Sequence, residues 1–180
     1  MTENQPRVPK LTVDLLRQNR LFQGVDSSTL ELLVKELAPE VALPGDCIIR
    51  EGESADFMFA IINGELEVLS HGGSTSADVR VALLGPSDWV GESALLGGKE
   101  TRSATVRALA PSLLLRLRQA DVQRLVQDRD MAQYARMVLN VARELGRRLR
   151  VADRLIAQSS AAIAKQYVLE SMRPPATSKS

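Results

Sequence analysis

Glu92 and Arg102 are the two side chains that carry the most chemistry in this sequence. They lie in the run Gly91-Glu92-Ser93-Ala94-Leu95-Leu96-Gly97-Gly98-Lys99-Glu100-Thr101-Arg102-Ser103-Ala104, between two strand-like stretches. A short helical turn after Glu92 presents backbone N–H groups near Ser93 and Ala94, and such a helix start favours an anion. Arg102 returns a permanent cation whose planar donors suit a phosphate. Glu92 can accept hydrogen bonds from vicinal hydroxyls such as those of a ribose. With apolar walls for a base, these groups describe a nucleotide pocket. An ordinary Glu92–Arg102 ion pair on a loop uses the same residues and is the competing reading. A P-loop is excluded despite Gly98-Lys99. Ser93 stands where the first glycine belongs, and Glu100 replaces the magnesium-holding hydroxyl.

Other chemistries lack their residues. The chain has one cysteine, Cys47, and one histidine, His71. No disulfide can form within it, and no Cys/His zinc site is expected. A hydrolytic triad would need His71, which sits in the run 71–76 and reads as a solvated loop residue. No catalytic residue, metal or cofactor is expected, so the reading is not an enzyme, a phosphodiesterase included. Lys and Arg number 23, Asp and Glu 22, and the net charge is +1, which argues against a uniformly basic nucleic-acid coat. Aromatics are 3%, too few for a base-stacking platform. There is no 18-residue apolar run and no secretory signal in the first ten residues, so a cytoplasmic protein without a membrane span is expected.

The elements that must position the site follow from spacing. Residues 1–10 read as disordered and 11–19 as a short helix. Ser28-Thr29-Leu30-Glu31 predicts a capping box with Ser28 as N-cap. Leu30, Leu33, Val34 and Leu37 continue it, and Pro39 closes it. From residue 41 to 117, short apolar runs alternate with glycine turns: 47–49, 57–62, 66–69, 79–84, 105–108 and 113–117. Asn63-Gly64 predicts a two-residue hairpin. Such strands make a small antiparallel β-roll, giving an α+β fold. Residues 119–128 read as a helix with Val122, Leu125 and Val126 inward.

Residues 131–172 contain no proline and one glycine, Gly146. As one helix they would span about 63 Å. Val138, Val141, Leu145, Leu149, Ala152, Ile156, Ser159 and Ile163 step by three or four, which predicts pairing with a second copy. Two shorter helices broken near Ser159-Ser160 are the alternative. The domains expected are thus the β-roll over 11–130, the dimerisation helix over 131–172 and a flexible tail over 173–180.

The run from Gly91 to Ala104 resembles the phosphate-binding cassette of cyclic nucleotide-binding domains: Gly-Glu, a short helix, then Arg-(Ser/Thr/Ala)-Ala. The resemblance extends over roughly residues 21–154. It includes Leu21-Phe22, Pro44-Gly45-Asp46, Arg50-Glu51-Gly52-Glu53 and Ile61-Ile62-Asn63-Gly64-Glu65-Leu66. It is closer to the catabolite-activator branch than to the kinase regulatory subunits. It implies that Glu92 holds the ribose 2′-hydroxyl and Arg102 the cyclic phosphate. Backbone N–H groups near Ser93 and Ala94 and the Ser103 hydroxyl complete the cradle, unless Ser103 faces the base. Arg148, Ala152 and Asp153 fall where the long helix reads the base. Ala152 and Asp153 replace the hydroxyl residues of that branch, so cAMP and cGMP both stay open, as does a plain surface pairing of Asp153 with an arginine.

The resemblance implies a receptor module that takes cAMP or cGMP and signals through its long helix to an effector protein. A degenerate, nucleotide-independent dimeric scaffold of the same fold is the alternative. No helix-turn-helix module follows the long helix in this sequence, so a DNA partner is not expected despite Arg147, Arg148 and Arg150.

Overall fold

A computed structural model describes residues 9–71, 78–96 and 101–171, with side chains described as far as residue 165. The expected disordered terminus through residue 8, the tail from 173, the loop over 72–76 and cassette residues 97–100 lie outside the described residues. The chain divides into two compact units, Met1–Val141 and Ala142–Ser180.

The first unit opens with α1 (Val13–Gln18), a 3₁₀ turn (Arg20–Phe22) and α2 (Ser27–Glu36). Eight strands follow: β1 (Pro39–Ala42), β2 (Cys47–Ile49), β3 (Phe57–Asn63), β4 (Leu66–His71), β5 (Asp78–Leu84), β6 (Trp89–Val90), β7 (Thr105–Ala108) and β8 (Ser112–Arg118). A short helix, α3 (Ser93–Leu96), separates β6 from β7. After β8 come α4 (Gln119–Val122) and a π-helical turn (Gln123–Gln127). The strands form two antiparallel four-stranded sheets, ordered β1-β8-β3-β6 and β2-β7-β4-β5. Phe59, Ile61 and Leu114 from one sheet meet Ile49, Leu66, Leu84 and Val106 from the other to form the roll's core. Met58 and Ala60, which alternate with Phe57, Phe59 and Ile61, are buried too, so β3 is covered on both faces. The β-roll with flanking helices and a long C-terminal helix is the architecture expected from the sequence.

Three local readings need correction. The N-cap of α2 is Asp26, not Ser28: its carboxylate accepts from the Thr29 N–H at 2.7 Å and from the Ser28 hydroxyl at 3.1 Å. A carboxylate is the stronger acceptor, and the helix therefore starts at Ser27. Its pKa is lowered, chiefly by the Thr29 backbone hydrogen bond. Asn63-Gly64 is not a hairpin turn, because β3 and β4 belong to different sheets. The turn carries the chain across the roll. Gly64 has φ +103°, and a Cβ there would come within 2.5 Å of the Ser112 Cα, so glycine is needed for both backbone angle and space. His71 ends strand β4 rather than sitting in a loop, with its Nδ1 3.2 Å from Asp78 Oδ1, although it is exposed as expected. Strands β1 and β6 and the π-helical turn were not among the predicted elements. Val122, Leu125 and Val126 are nonetheless all buried.

α5 (Met131–Ser171) is one helix of 41 residues, unbroken at Ser159-Ser160. On its predicted stripe Val141 is buried, whereas Leu149, Ile156 and Ile163 are 63%, 64% and 55% exposed. In the second unit Glu144 is buried and paired with Arg147 at 2.6 Å and Arg148 at 3.3 Å. Its pKa falls to about 2, mainly through the Arg147 hydrogen bond, against the opposing effect of burial.

Candidate functional site

The site is built where the chain leaves β6. That two-residue strand pairs with β3, setting Val90 opposite Phe59 and Trp89 opposite Ala60. The next residue, Gly91, turns at φ +83°. A Cβ on it would sit 2.8 Å from Arg102 Nη1 and 3.2 Å from both Ile49 Cδ1 and the Phe57 carbonyl. Only glycine lets the arginine come this close. Glu92 follows, half-buried, and α3 begins at Ser93. The Ala94 N–H donates to the Gly91 carbonyl at 3.2 Å and the Leu95 N–H to that of Glu92 at 2.9 Å, closing the turn. The Tyr134 hydroxyl reaches the Leu95 carbonyl at 3.4 Å, tying the start of α5 to this short helix.

Arg102 is fastened from the opposite direction. Its N–H donates to the Glu53 carbonyl at 2.8 Å and its carbonyl accepts from Gly52 N–H at 2.9 Å. An isolated bridge between Ser54 and Thr101 supports the same approach. The guanidinium then reaches back under the turn: Nη2 donates to the Phe57 carbonyl at 2.7 Å and Nη1, weakly, to the Gly91 carbonyl at 3.4 Å. Its Cζ stands 4.4 Å from the Phe57 ring centroid, a cation–π contact. Arg102 is only 5% exposed. Burial lowers its pKa, opposed by the fields of Asp56, Glu53 and Glu92 in that order, and an arginine remains charged regardless.

The expected alternative, a plain Glu92–Arg102 ion pair, is not formed. Among the described residues no carboxylate lies within ion-pair distance of Arg102, and Glu92 acts on it only through space. Carbonyl partners and a ring hold a buried cation without neutralising it. Burying a charge in this way is unfavourable unless an anion completes the site.

Gly91, Glu92, Ser93, Ala94 and Arg102 are therefore brought together as one constellation. Ala94 is buried, Ser103 exposed and Ala104 half-buried where the chain runs on to β7. Arg148, Ala152 and Asp153 belong to the second unit. There Arg148 is engaged by Glu144, and Ala152 and Asp153 are exposed. Among the described residues Asp153 forms no ion pair with Arg150, whose carbonyl accepts from Arg154 Nε at 3.2 Å. Phe57 escaped the sequence reading: it heads a predicted strand, and nothing in its type announces that its carbonyl and ring would both hold an arginine 45 residues away.

Residues 39–129 match the family of the cyclic nucleotide-binding domain. The chain belongs to this family. A CRP-like cAMP-activated global transcriptional regulator of Mycobacterium tuberculosis is 33% identical over 96 residues, 51% of this chain and 41% of that protein. Among solved structures, the N-terminal domain of a transcriptional regulator from Streptomyces coelicolor matches with TM-score 0.64 and 26% identity, over 74% of this chain and 94% of that one. The catabolite activator protein of Thermus thermophilus matches with TM-score 0.65 and 25% identity, over 79% of this chain and 63% of that one. Channels are further relatives, and the chain spans only 14% of a potassium channel from Oryza sativa and 21% of a cyclic nucleotide-gated cation channel from Ictalurus punctatus. These relatives are regulators and channels. Among the described residues no helix is long and apolar enough to cross a membrane.

Proposed function

We propose that this domain is a receptor for a cyclic nucleotide, cAMP or cGMP, and passes the binding event through α5 to an effector protein in the cytoplasm. The observation that carries the reading is the buried guanidinium of Arg102, held by carbonyls beneath the Gly91-Glu92 turn with no carboxylate among the described residues to neutralise it. A cyclic phosphate supplies the missing negative charge. Glu92 takes the ribose 2′-hydroxyl. The Ser93 and Ala94 backbone and the Ser103 hydroxyl complete the cradle, with Ala94 giving up its bond to Gly91. Arg148, Ala152 and Asp153 are the helix residues assigned to the base. The domain binds its ligand without turning it over. The inward Arg102 argues against a degenerate scaffold, which would leave that cation turned out or compensated.

Exposure of Leu149, Ile156 and Ile163 along one line of α5 supports a homodimer that buries them. A ligand that prefers one setting of the helix over another would then shift its population, which is the whole basis of such a signal.

Titration calorimetry of the protein with cAMP and with cGMP tests the reading. Saturable one-site heat with at least one of them is expected, and no heat with either at high concentration refutes it.

A further inference from the structure

Arg102 is not the only cation on the Phe57 ring. Arg116, from β8, places its Cζ 4.7 Å from the same centroid and 5.2 Å from that of Phe59. The two rings meet edge to face at 5.3 Å. Arg116 stands opposite Phe59 in the β3–β8 register, so its position is fixed by the central strands of the sheet. Among the described residues its buried Nε has no hydrogen-bond partner, and its Nη2 donates to Glu40 Oε2 at 2.9 Å. The guanidinium thus gives up one hydrogen bond to lie against two rings, and Glu40 on β1 neutralises it.

Two like charges sharing one ring repel, and Glu40 removes the net charge of one of them. We propose that Glu40, by neutralising Arg116, leaves Arg102 as the uncompensated cation on the Phe57 ring, and that this pair selects a singly charged cyclic phosphodiester over a doubly charged phosphate monoester. The inference rests on the nucleotide reading above. Glu40 and Arg116 act as specificity residues through their field and need not touch the ligand.

The charges make the distinction. A cyclic nucleotide carries one negative charge on its phosphate, whereas a 5′-monophosphate carries close to two near neutral pH. An uncompensated cation nearby attracts the second twice as strongly. At about 10 Å and an effective dielectric between those of protein surface and water, one such charge changes the preference between the two by roughly threefold to fivefold at low salt. Salt screens the difference. Glu53, Asp56 and Glu92 bear on Arg102 as well, but their contribution is common to every variant considered. The pair is accessible to such a test: Glu40 is 43% and Arg116 32% exposed, and both line a cavity of about 270 Å³ between β1 and β2. Substitution there leaves no sealed void.

The experiment titrates the wild type, Glu40→Gln, Arg116→Met and the double variant with cAMP and 5′-AMP, and with cGMP and 5′-GMP, at low and high salt. Circular dichroism melting checks the fold of each. In Glu40→Gln the affinity for the monophosphate relative to the cyclic nucleotide rises about threefold to fivefold. In Arg116→Met it falls. The double variant, whose net charge equals that of the wild type, returns to the wild-type ratio, and high salt compresses all the differences. An unchanged ratio in folded Glu40→Gln, or a double variant that does not return, overturns the selectivity while leaving cyclic nucleotide binding in place. A wild type that binds none of the four nucleotides overturns both.

Discussion

Replacing Arg102 by methionine separates a structural arginine from one held for a ligand. Methionine keeps an apolar stem and a sulfur against the Phe57 ring, so packing changes little. The ligand-free protein loses one good charged hydrogen bond, to the Phe57 carbonyl at 2.7 Å, and a marginal one to Gly91 at 3.4 Å. That loss is worth about 1.5–3 kcal/mol. The cation–π contact contributes about 1 kcal/mol more. Against this stands the cost of keeping a charge 5% exposed with no ion-pair partner among the described residues, an effective penalty of several kcal/mol in real proteins. The terms nearly cancel, so Arg102→Met in the absence of nucleotide should unfold in urea within about 1 kcal/mol of the wild type. Ligand binding responds differently. Loss of a charged partner worth about 1.5–3 kcal/mol weakens cyclic nucleotide affinity by roughly ten- to more than a hundredfold. At a concentration of one hundred times the wild-type dissociation constant, the wild type gains about 2.7 kcal/mol of stability and the variant about 0.4–1.4 kcal/mol. Urea titrations with and without nucleotide read both quantities. A variant that loses more than about 3 kcal/mol without ligand, or that retains wild-type affinity, refutes the account of Arg102 as a cation awaiting an anion.

Gly64→Ala should cost at least about 3 kcal/mol, because the left-handed φ of +103° is strained for alanine and the new Cβ meets the Ser112 backbone; a near-neutral urea midpoint would contradict this. Glu144 has its folded pKa lowered from 4.5 to about 2, so its contribution is fully present above about pH 4.5 and is lost as pH falls towards 2. Because Arg147 is half exposed, the contribution is on the order of 1–2 kcal/mol, and Glu144→Gln should flatten the pH dependence of the melting temperature in that window. Ile156→Glu places a charge on the exposed stripe of α5 and should shift sedimentation equilibrium towards monomer without lowering the melting temperature of the roll; unchanged mass would count against pairing through that stripe.

Two of the short apolar runs were legible from residue type to the residue: Cys47–Ile49 and Thr105–Ala108. Pro39–Ala42 and Trp89–Val90 were not, because one begins at a proline and the other has two residues, and neither shows a period. Asn63-Gly64 looked like a hairpin because turn chemistry is local, whereas the choice of sheet for each strand is decided by packing of the whole roll. The capping error has a similar origin. Ser28 and Glu31 fit the pattern, but Asp26 offers the better acceptor two residues earlier. At the site, Gly91, Glu92 and Arg102 could be named because glycine, carboxylate and guanidinium each have a chemical reason to be there. Phe57 and Arg116 could not, since a phenyl ring and an exposed-looking strand arginine acquire their meaning only when β3 and β8 are set side by side.

The same geometry explains why ligand and fold should be coupled in this domain. Gly91 leaves β6 at an angle that no other residue takes comfortably, Arg102 is tied by its backbone to the turn at Gly52 and Glu53, and Phe57 receives the guanidinium on its carbonyl and its ring. Three separate segments, the Gly91 turn, the Gly52-Glu53 turn and the start of β3, converge on one positive charge. An anion placed there would supply the counter-charge at the point where all three meet. The Gly91-Glu92 turn leads directly into α3, whose Leu95 carbonyl accepts the hydrogen bond from Tyr134 at the start of α5. A change at Arg102 therefore has a bonded route, through the Gly91 turn, Leu95 and Tyr134, to the beginning of the long helix. Tyr134→Phe removes only the last link of that route. It should leave nucleotide affinity within about a factor of three, because the bond is long, while diminishing the ligand-dependent change in hydrogen exchange along α5. Undiminished protection in α5 of the variant would show that the signal travels by another path.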